Sequence, residues 1–191
     1  MEPQTVALYA AEVPPQKARA YQYVLVTLLA LFGGVLGIIG AAVQELQATP
    51  LFILLLFIGA PIIEEALKPS GVYIALIRWP QALRSQLFTA VLTALSGLVF
   101  GIIESIVYVT VYVDDPSEAF VAYRFSVTLV LHAGASFLVG LGINYRVIDW
   151  AQGRAPLAKS SRNYYIAACV LHGAYNTIAF ALAIAGVLDF D

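Results

Sequence analysis

Long apolar runs alternate along this chain with short polar connections. A helix that crosses a bilayer needs roughly 20 mostly apolar residues. Five stretches qualify, at about 21–43, 51–77, 86–112, 123–145 and 163–188. The pattern predicts an all-α fold, a polytopic transmembrane helix bundle of five spans. The second run is interrupted by the stretch "PIIEEALKPSGVY", residues 61–73, which puts Glu64, Glu65 and Lys68 where apolar side chains are expected.

The polar connections give the bundle a direction. Lys17 and Arg19 precede the first span, and Arg78 and Arg84 lie between the second and third. Arg146, Arg154, Lys159 and Arg162 lie between the fourth and fifth. The other connections carry Glu45, then Asp114, Asp115 and Glu118, and the chain ends with Asp189 and Asp191; Arg124 is the one basic residue on that side. Positive loops stay cytoplasmic, so the N-terminus is expected inside and the C-terminus outside. Residues 1–20 then form a cytoplasmic tail and residues 21–191 a single transmembrane domain. Trp79, Trp150, Tyr164 and Tyr165 fall near the predicted inner interface, where aromatic belts form. The longest connection, "RVIDWAQGRAPLAKSSRN", is either a solvated linker or a segment resting on the membrane through Val147, Ile148 and Trp150.

Composition agrees with this reading and narrows it. Of 191 residues, 61% are hydrophobic and 12% charged, with a mean hydropathy of +0.84. About a quarter of a soluble domain is charged. The lipid bilayer is therefore the expected partner, and the lack of any basic cluster at a net charge of −2 excludes nucleic acid. Cys169 is the single cysteine, which excludes an intrachain disulfide and a cysteine-built metal site. The first 20 residues carry acids and prolines and do not read as a signal peptide.

The chemistry lies in polar residues inside the spans. Glu64, Glu65 and Lys68 are in the second, Glu104 in the third, His132 and Ser136 in the fourth, and His172 and Asn176 in the fifth. A charge at the centre of a spanning helix costs about 2.5–3.5 kcal/mol on insertion scales, so such residues need a shared reason to persist. At about 1.5 Å per residue, Glu64, Glu65, His172 and Asn176 lie roughly 18–24 Å from the outer edge, and Glu104 and His132 roughly 12–14 Å. One cavity in the middle to outer half can hold them all. His172 and Asn176 are four apart and share a helix face, as do His132 with Ser136 and Phe100 with Glu104. Glu65 and Lys68 are three apart and can pair. Pro61 and Pro69 remove helix donors on either side of the glutamates, which predicts a kinked or broken second span. Gly33 and Gly37, and Gly97 and Gly101, have the spacing of close helix contacts.

Carboxylates and histidines in one cavity suit activation of water. A glutamate in an apolar surrounding can act as a general base near neutral pH, histidine can hold water, pass a proton or bind a metal, and asparagine can donate to an oxyanion. The parts for amide hydrolysis in the membrane are present. The same acids and histidines could instead relay protons in a proton-coupled transporter, or tie helices together in a non-catalytic membrane scaffold. No inverted repeat supports the transporter reading.

"EEALK" (Glu64, Glu65, Lys68), "FGIIE" (Phe100, Glu104), "HAGAS" (His132, Ser136) and "HGAYN" (His172, Asn176), one per successive span, resemble the PrsW family of intramembrane proteases. That family shares a superfamily with type II CAAX prenyl endopeptidases and bacterial CPBP proteins. The resemblance covers about residues 50–188, which makes the first span an N-terminal addition to a four-helix core. It implies hydrolysis of a peptide bond in a membrane-anchored protein, such as an anti-sigma factor, within a bacterial or archaeal plasma membrane. Carried over by position, Glu64 or Glu65 activates water, Glu104, His132 and His172 assist, and Asn176 stabilises the oxyanion. Lys68, Phe100 and Ser136 support them. The CAAX relatives use an arginine and FxxxH where this chain has Lys68 and Glu104, which favours the PrsW branch. No metal is predicted, because HExxH is absent. If zinc takes part, Glu64 or Glu65 with His132 and His172 would hold it.

Overall fold

The computed structural model describes residues 17–46 and 55–186. These residues form helices and helical turns joined by short connections, without strands. Helix α1 spans Ala20–Leu46. A π-helical turn, Leu55–Gly59, leads into α2, Ala60–Leu67, and α3 follows at Ser70–Arg78. After a 3-10 turn at Pro80–Leu83 comes α4, Gln86–Val107, which continues as a π-helical turn to Tyr112. Helix α5, Glu118–Tyr123, passes through a third π-helical turn, Arg124–Thr128, into α6, Leu129–Gly142. Helix α7 is Tyr145–Ala151 and α8 is Lys159–Ile184.

Among the described residues, four helical segments are long and apolar enough to cross a membrane: Ala20–Gln44, Gln86–Tyr112, Glu118–Gly142 and Lys159–Ile184. They match the first, third, fourth and fifth predicted spans. The second is divided, as its prolines predict. Helix α2 begins with Pro61 in its first turn, and Pro69 separates it from α3. Residues 47–54 of that predicted span lie outside the described region.

The fourth span requires a correction. It begins at Glu118, not near 123, because Ser117 Oγ accepts a hydrogen bond from the backbone N–H of Phe120 and starts the helix early. Glu118 is therefore a helical residue, not a loop residue, and Arg124 lies inside the helix, not at its start. Arg124 is buried. The long connection before α8 is partly ordered as α7, where Trp150 is half exposed and Arg154 pairs with Asp149.

Burial is distributed as a lipid solvent dictates. Val130 and Val170 are 74% and 65% exposed, whereas Glu65, Lys68, Thr93, Ser96 and Ser136 are fully buried. Apolar side chains gain nothing by leaving lipid, so helices associate through close packing and interhelical hydrogen bonds. Helix α4 packs on α6 and α1, and α8 packs on α6 and α2. The apolar core lies towards the α3 end, where Val26, Val72, Leu76, Leu83, Leu92 and Val139 meet. The polar cluster sits beyond it.

Glycines permit the close approaches. A side chain at Gly71 would run into the backbone carbonyl of Leu29 on α1, and one at Gly97 into the carbonyl of His132 on α6. Gly33 and Gly37 let α1 lie against the chain break, facing the backbone and side chain of Lys68. At the break the Lys68 carbonyl accepts a hydrogen bond from Ser96 Oγ on α4. The paired-glycine spacing thus reflects helix packing.

Gly71→Ala should destabilise the bundle by about 1–3 kcal/mol, the usual cost of overpacking. Gly134→Ala meets nothing within 4 Å and should stay within about 0.5 kcal/mol of the parent. Thermal unfolding of both variants in one detergent checks this; equal melting temperatures would show that α1 does not press on α3 as described.

Candidate active site

Helix α2 supplies three ionisable groups. Its helical turn carries Glu64, Glu65 and Lys68 to one side, and the i, i+3 and i, i+4 spacings let both acids reach the lysine. Lys68 Nζ lies 2.7 Å from Glu65 Oε1 and 3.3 Å from Glu64 Oε2. It also lies 3.0 Å from Nδ1 of His132 on α6 and 4.0 Å from the centre of the Phe100 ring on α4. The predicted Glu65–Lys68 pair is present. Lys68 serves both glutamates, as expected of an electrostatic partner for the pair; its contact with His132 was not foreseen.

The two histidines, from α6 and α8, have ring centres 4.9 Å apart and planes at 88°. His172 Nδ1 is 2.9 Å from Glu65 Oε1, and its Nε2 is 3.8 Å from Glu64 Oε2. His132 Nε2 is 2.9 Å from Glu104 Oε2 on α4. Carboxylates only accept and an ammonium only donates, so these partners fix the neutral tautomers. His172 carries its proton on Nδ1 and gives it to Glu65. His132 carries its proton on Nε2 and gives it to Glu104, while Nδ1 accepts from Lys68.

The remaining candidates fall around this group. Ser136 Oγ donates to Glu65 Oε2 at 3.3 Å. Phe100 packs against the His132 ring with centres 4.9 Å apart. Asn176 stands one turn beyond His172 on α8 and is half-buried. Glu64, Glu65, Lys68, His132 and His172 are all buried, and the Glu104 side chain keeps 21% exposure.

The two adjacent glutamates differ in their partners. Glu65 receives Lys68, His172 and Ser136. Glu64 Oε2 is buried and accepts no aligned hydrogen bond. Glu64, His132 and His172 each offer a ligand atom, and these atoms lie within 4.8 Å of one another. The donor types, two imidazoles and one carboxylate with a second carboxylate behind each ring, are ones that zinc accepts, but Nδ1 of His132, the nitrogen that Glu104 leaves, faces Lys68 Nζ at 3.0 Å, so a metal there would require the ammonium to withdraw. Glu65 is not one of the three.

One residue of the site escaped the sequence reading. Arg124 Nη2 lies 2.7 Å from Glu104 Oε2, the same oxygen that faces His132. The guanidinium lies 4.0 Å above the Tyr108 ring, and Ser105 Oγ donates to the Arg124 backbone carbonyl at 2.9 Å. The signal in the sequence was its isolation, as the one basic residue among acidic connections.

No curated protein and no solved structure gives a significant match to this chain. A family model described as PrsW family intramembrane metalloprotease matches residues 20–190. The match includes α1, which the motif resemblance had left outside the core. It also agrees with the packing of Gly33 and Gly37 onto the chain break. A multi-pass membrane protein with a buried acid and histidine site is what such a peptidase requires, and the chain belongs to the PrsW family of intramembrane metalloproteases.

Proposed function

We propose that this protein hydrolyses a peptide bond of a membrane-anchored protein, such as an anti-sigma factor, in a bacterial or archaeal plasma membrane, and that Glu64 is the residue that acts on the water. The observation that carries this reading is the contrast between the paired acids. Glu65 accepts hydrogen bonds from Lys68, His172 and Ser136, whereas Glu64 Oε2, ion-paired with Lys68 at 3.3 Å, accepts no aligned hydrogen bond and faces His172 Nε2.

In this reading Glu64 takes a proton from water, the oxygen attacks the scissile carbonyl carbon, and Glu64 returns the proton to the departing nitrogen. Glu65 fixes the His172 ring through Nδ1 and leaves Nε2 towards the reacting water. Glu104 fixes the His132 ring through Nε2, and its Nδ1 rests on Lys68. Asn176 donates to the oxyanion. Phe100 covers the Lys68 ammonium and keeps bulk water from it. If a metal such as zinc is resident, Glu64, His132 and His172 would hold it, and it would supply Lewis-acid polarisation. Glu64 is then a ligand, and its loss is again fatal. The transporter alternative draws no support from the contrast between the acids, since a proton relay needs no acid set apart in this way.

Glu64→Gln should fold normally and lose about 10²–10⁴-fold in rate towards a tethered peptide substrate in liposomes. Glu65→Gln should lose both rate and folded yield, because Lys68 and His172 each lose a charged partner. Wild-type cleavage by Glu64→Gln would remove that residue from the chemistry. Proton flux without cleavage would favour the transporter.

Lys68→Met leaves two acids buried without their cation and should cost on the order of 3–5 kcal/mol. A variant that melts with the parent and loses only cleavage would give Lys68 a direct part in the reaction.

The three-donor set predicts about one divalent metal per chain, measured on purified protein, with cleavage lost on stripping and regained on adding zinc. Full activity in metal-free protein beside a strong chelator would leave Glu64 as an unaided base.

A further inference from the structure

We infer that Arg124 is a positioning residue, holding Glu104 so that Glu104 can hold His132. The inference rests on the proposed peptidase reading only for its effect on rate; the geometry stands by itself. Arg124 Nη2 and His132 Nε2 approach the same carboxylate oxygen, Glu104 Oε2, at 2.7 and 2.9 Å. That oxygen is held from both sides. Lys68, Glu65 and His172 make a matching chain, at 2.7 and 2.9 Å. Each histidine is therefore oriented by a carboxylate, and each carboxylate by a cation.

Arg124 is placed for this work. The π-helical turn Arg124–Thr128 interrupts the regular ladder at that residue, and Ser105 ties its carbonyl to α4. Tyr108 lies under the guanidinium. Its Nε is buried without a hydrogen-bond partner, a cost that a purely structural surface pair would avoid by staying in water. Glu104 is the more exposed member of the cluster, at 21% of its side chain, so without Arg124 its carboxylate is free to turn and leave His132 Nε2 unheld.

The test uses the full chain, whose two histidines make its imidazole NMR spectrum simple. In ¹⁵N-histidine-labelled protein, His132 should show a downfield Nε2 proton protected from water. In Arg124→Gln, which retains a neutral donor and avoids stranding the acid, exchange of that proton should rise about tenfold or more while the His172 Nδ1 proton is unchanged. Arg124→Lys should restore most of the protection. With substrate, Arg124→Gln should lower kcat about 10–100-fold with little change in KM, and Arg124→Lys should recover it. Unchanged His132 exchange and unchanged kcat in Arg124→Gln would overturn the inference and leave the peptidase reading standing. Faster exchange in a protein that cleaves nothing would uphold the positioning role and defeat the peptidase reading. The unchanged His172 signal reports that the variant is folded; if Arg124→Gln does not fold, Ser105→Ala, which frees the carbonyl that ties Arg124 to α4, takes its place, and His132 exchange and kcat equal to the parent's would overturn the inference.

Discussion

Lys68 carries its charge to a place where lipid surrounds the protein and water is scarce, so its neighbours have to take over solvation. They are two carboxylates, one imidazole nitrogen and the face of Phe100. Each brings its own demand. Glu65, once drawn to Lys68, offers the same oxygen to His172. His132, once accepting from Lys68, must place its proton on Nε2, where only an acceptor can meet it, and Glu104 is that acceptor. Glu104 then needs a cation, which Arg124 provides. One buried ammonium thus orders groups from four helical segments. With all three acids ionised, the cluster holds one negative charge more than its two permanent cations balance, which suits a divalent ion or a proton moving among the acids.

Helix packing is arranged around that centre. Pro69 ends α2 one residue past Lys68, and the broken chain presents a carbonyl that Ser96 satisfies. Backbone exposed at such a depth is tolerated only where protein covers it. Helix α1 supplies the cover, with Gly33 and Gly37 against Lys68, and Gly97 and Gly101 bring α4 onto the His132 backbone and ring. The small residues that lipid favours at helix contacts therefore also set where the reactive groups stand. The first helix belongs to the working fold for the same reason, as the extent of the family match indicates.

Much of this was legible in the sequence, and the reasons differ by element. The helices α1, α4 and α8 follow from runs of apolar residues long enough to span. The break in the second run follows from two prolines with fixed chemistry. The membership of the site follows from polar residues that lipid would otherwise expel. What failed was local. The hydropathy of the fourth run falls at its charged start, which put the helix start near 123 with Arg124 at its edge, whereas the Ser117 cap and the pull of Glu104 carry the helix back to Glu118. The difference in partners between Glu64 and Glu65 was also out of reach. Adjacent helical residues point about 100° apart, which says they diverge but not which one meets the histidine's held nitrogen. That depends on α8, more than a hundred residues away in the chain.

The similar segments "VLHAGAS" and "VLHGAYN" end in the same place for physical reasons that need no duplication. Each histidine has a small residue near it that allows close approach: Gly173, next to His172, faces the Phe57 carbonyl, and Ala135, three residues past His132, lies wholly buried in the core. Each has a polar residue one turn on, Ser136 or Asn176. The partners break the likeness. His172 is held through Nδ1 and leaves Nε2 open, while His132 is held through Nε2 and has Nδ1 on Lys68. The two rings, nearly perpendicular, are therefore in different states: His172 turns Nε2 towards Glu64, while both nitrogens of His132 have partners. A site that must accept a proton, direct a water or hold an ion, and polarise a carbonyl has use for two imidazoles in different states. A protein that only needed to tie its helices together would have no cause to keep them unlike.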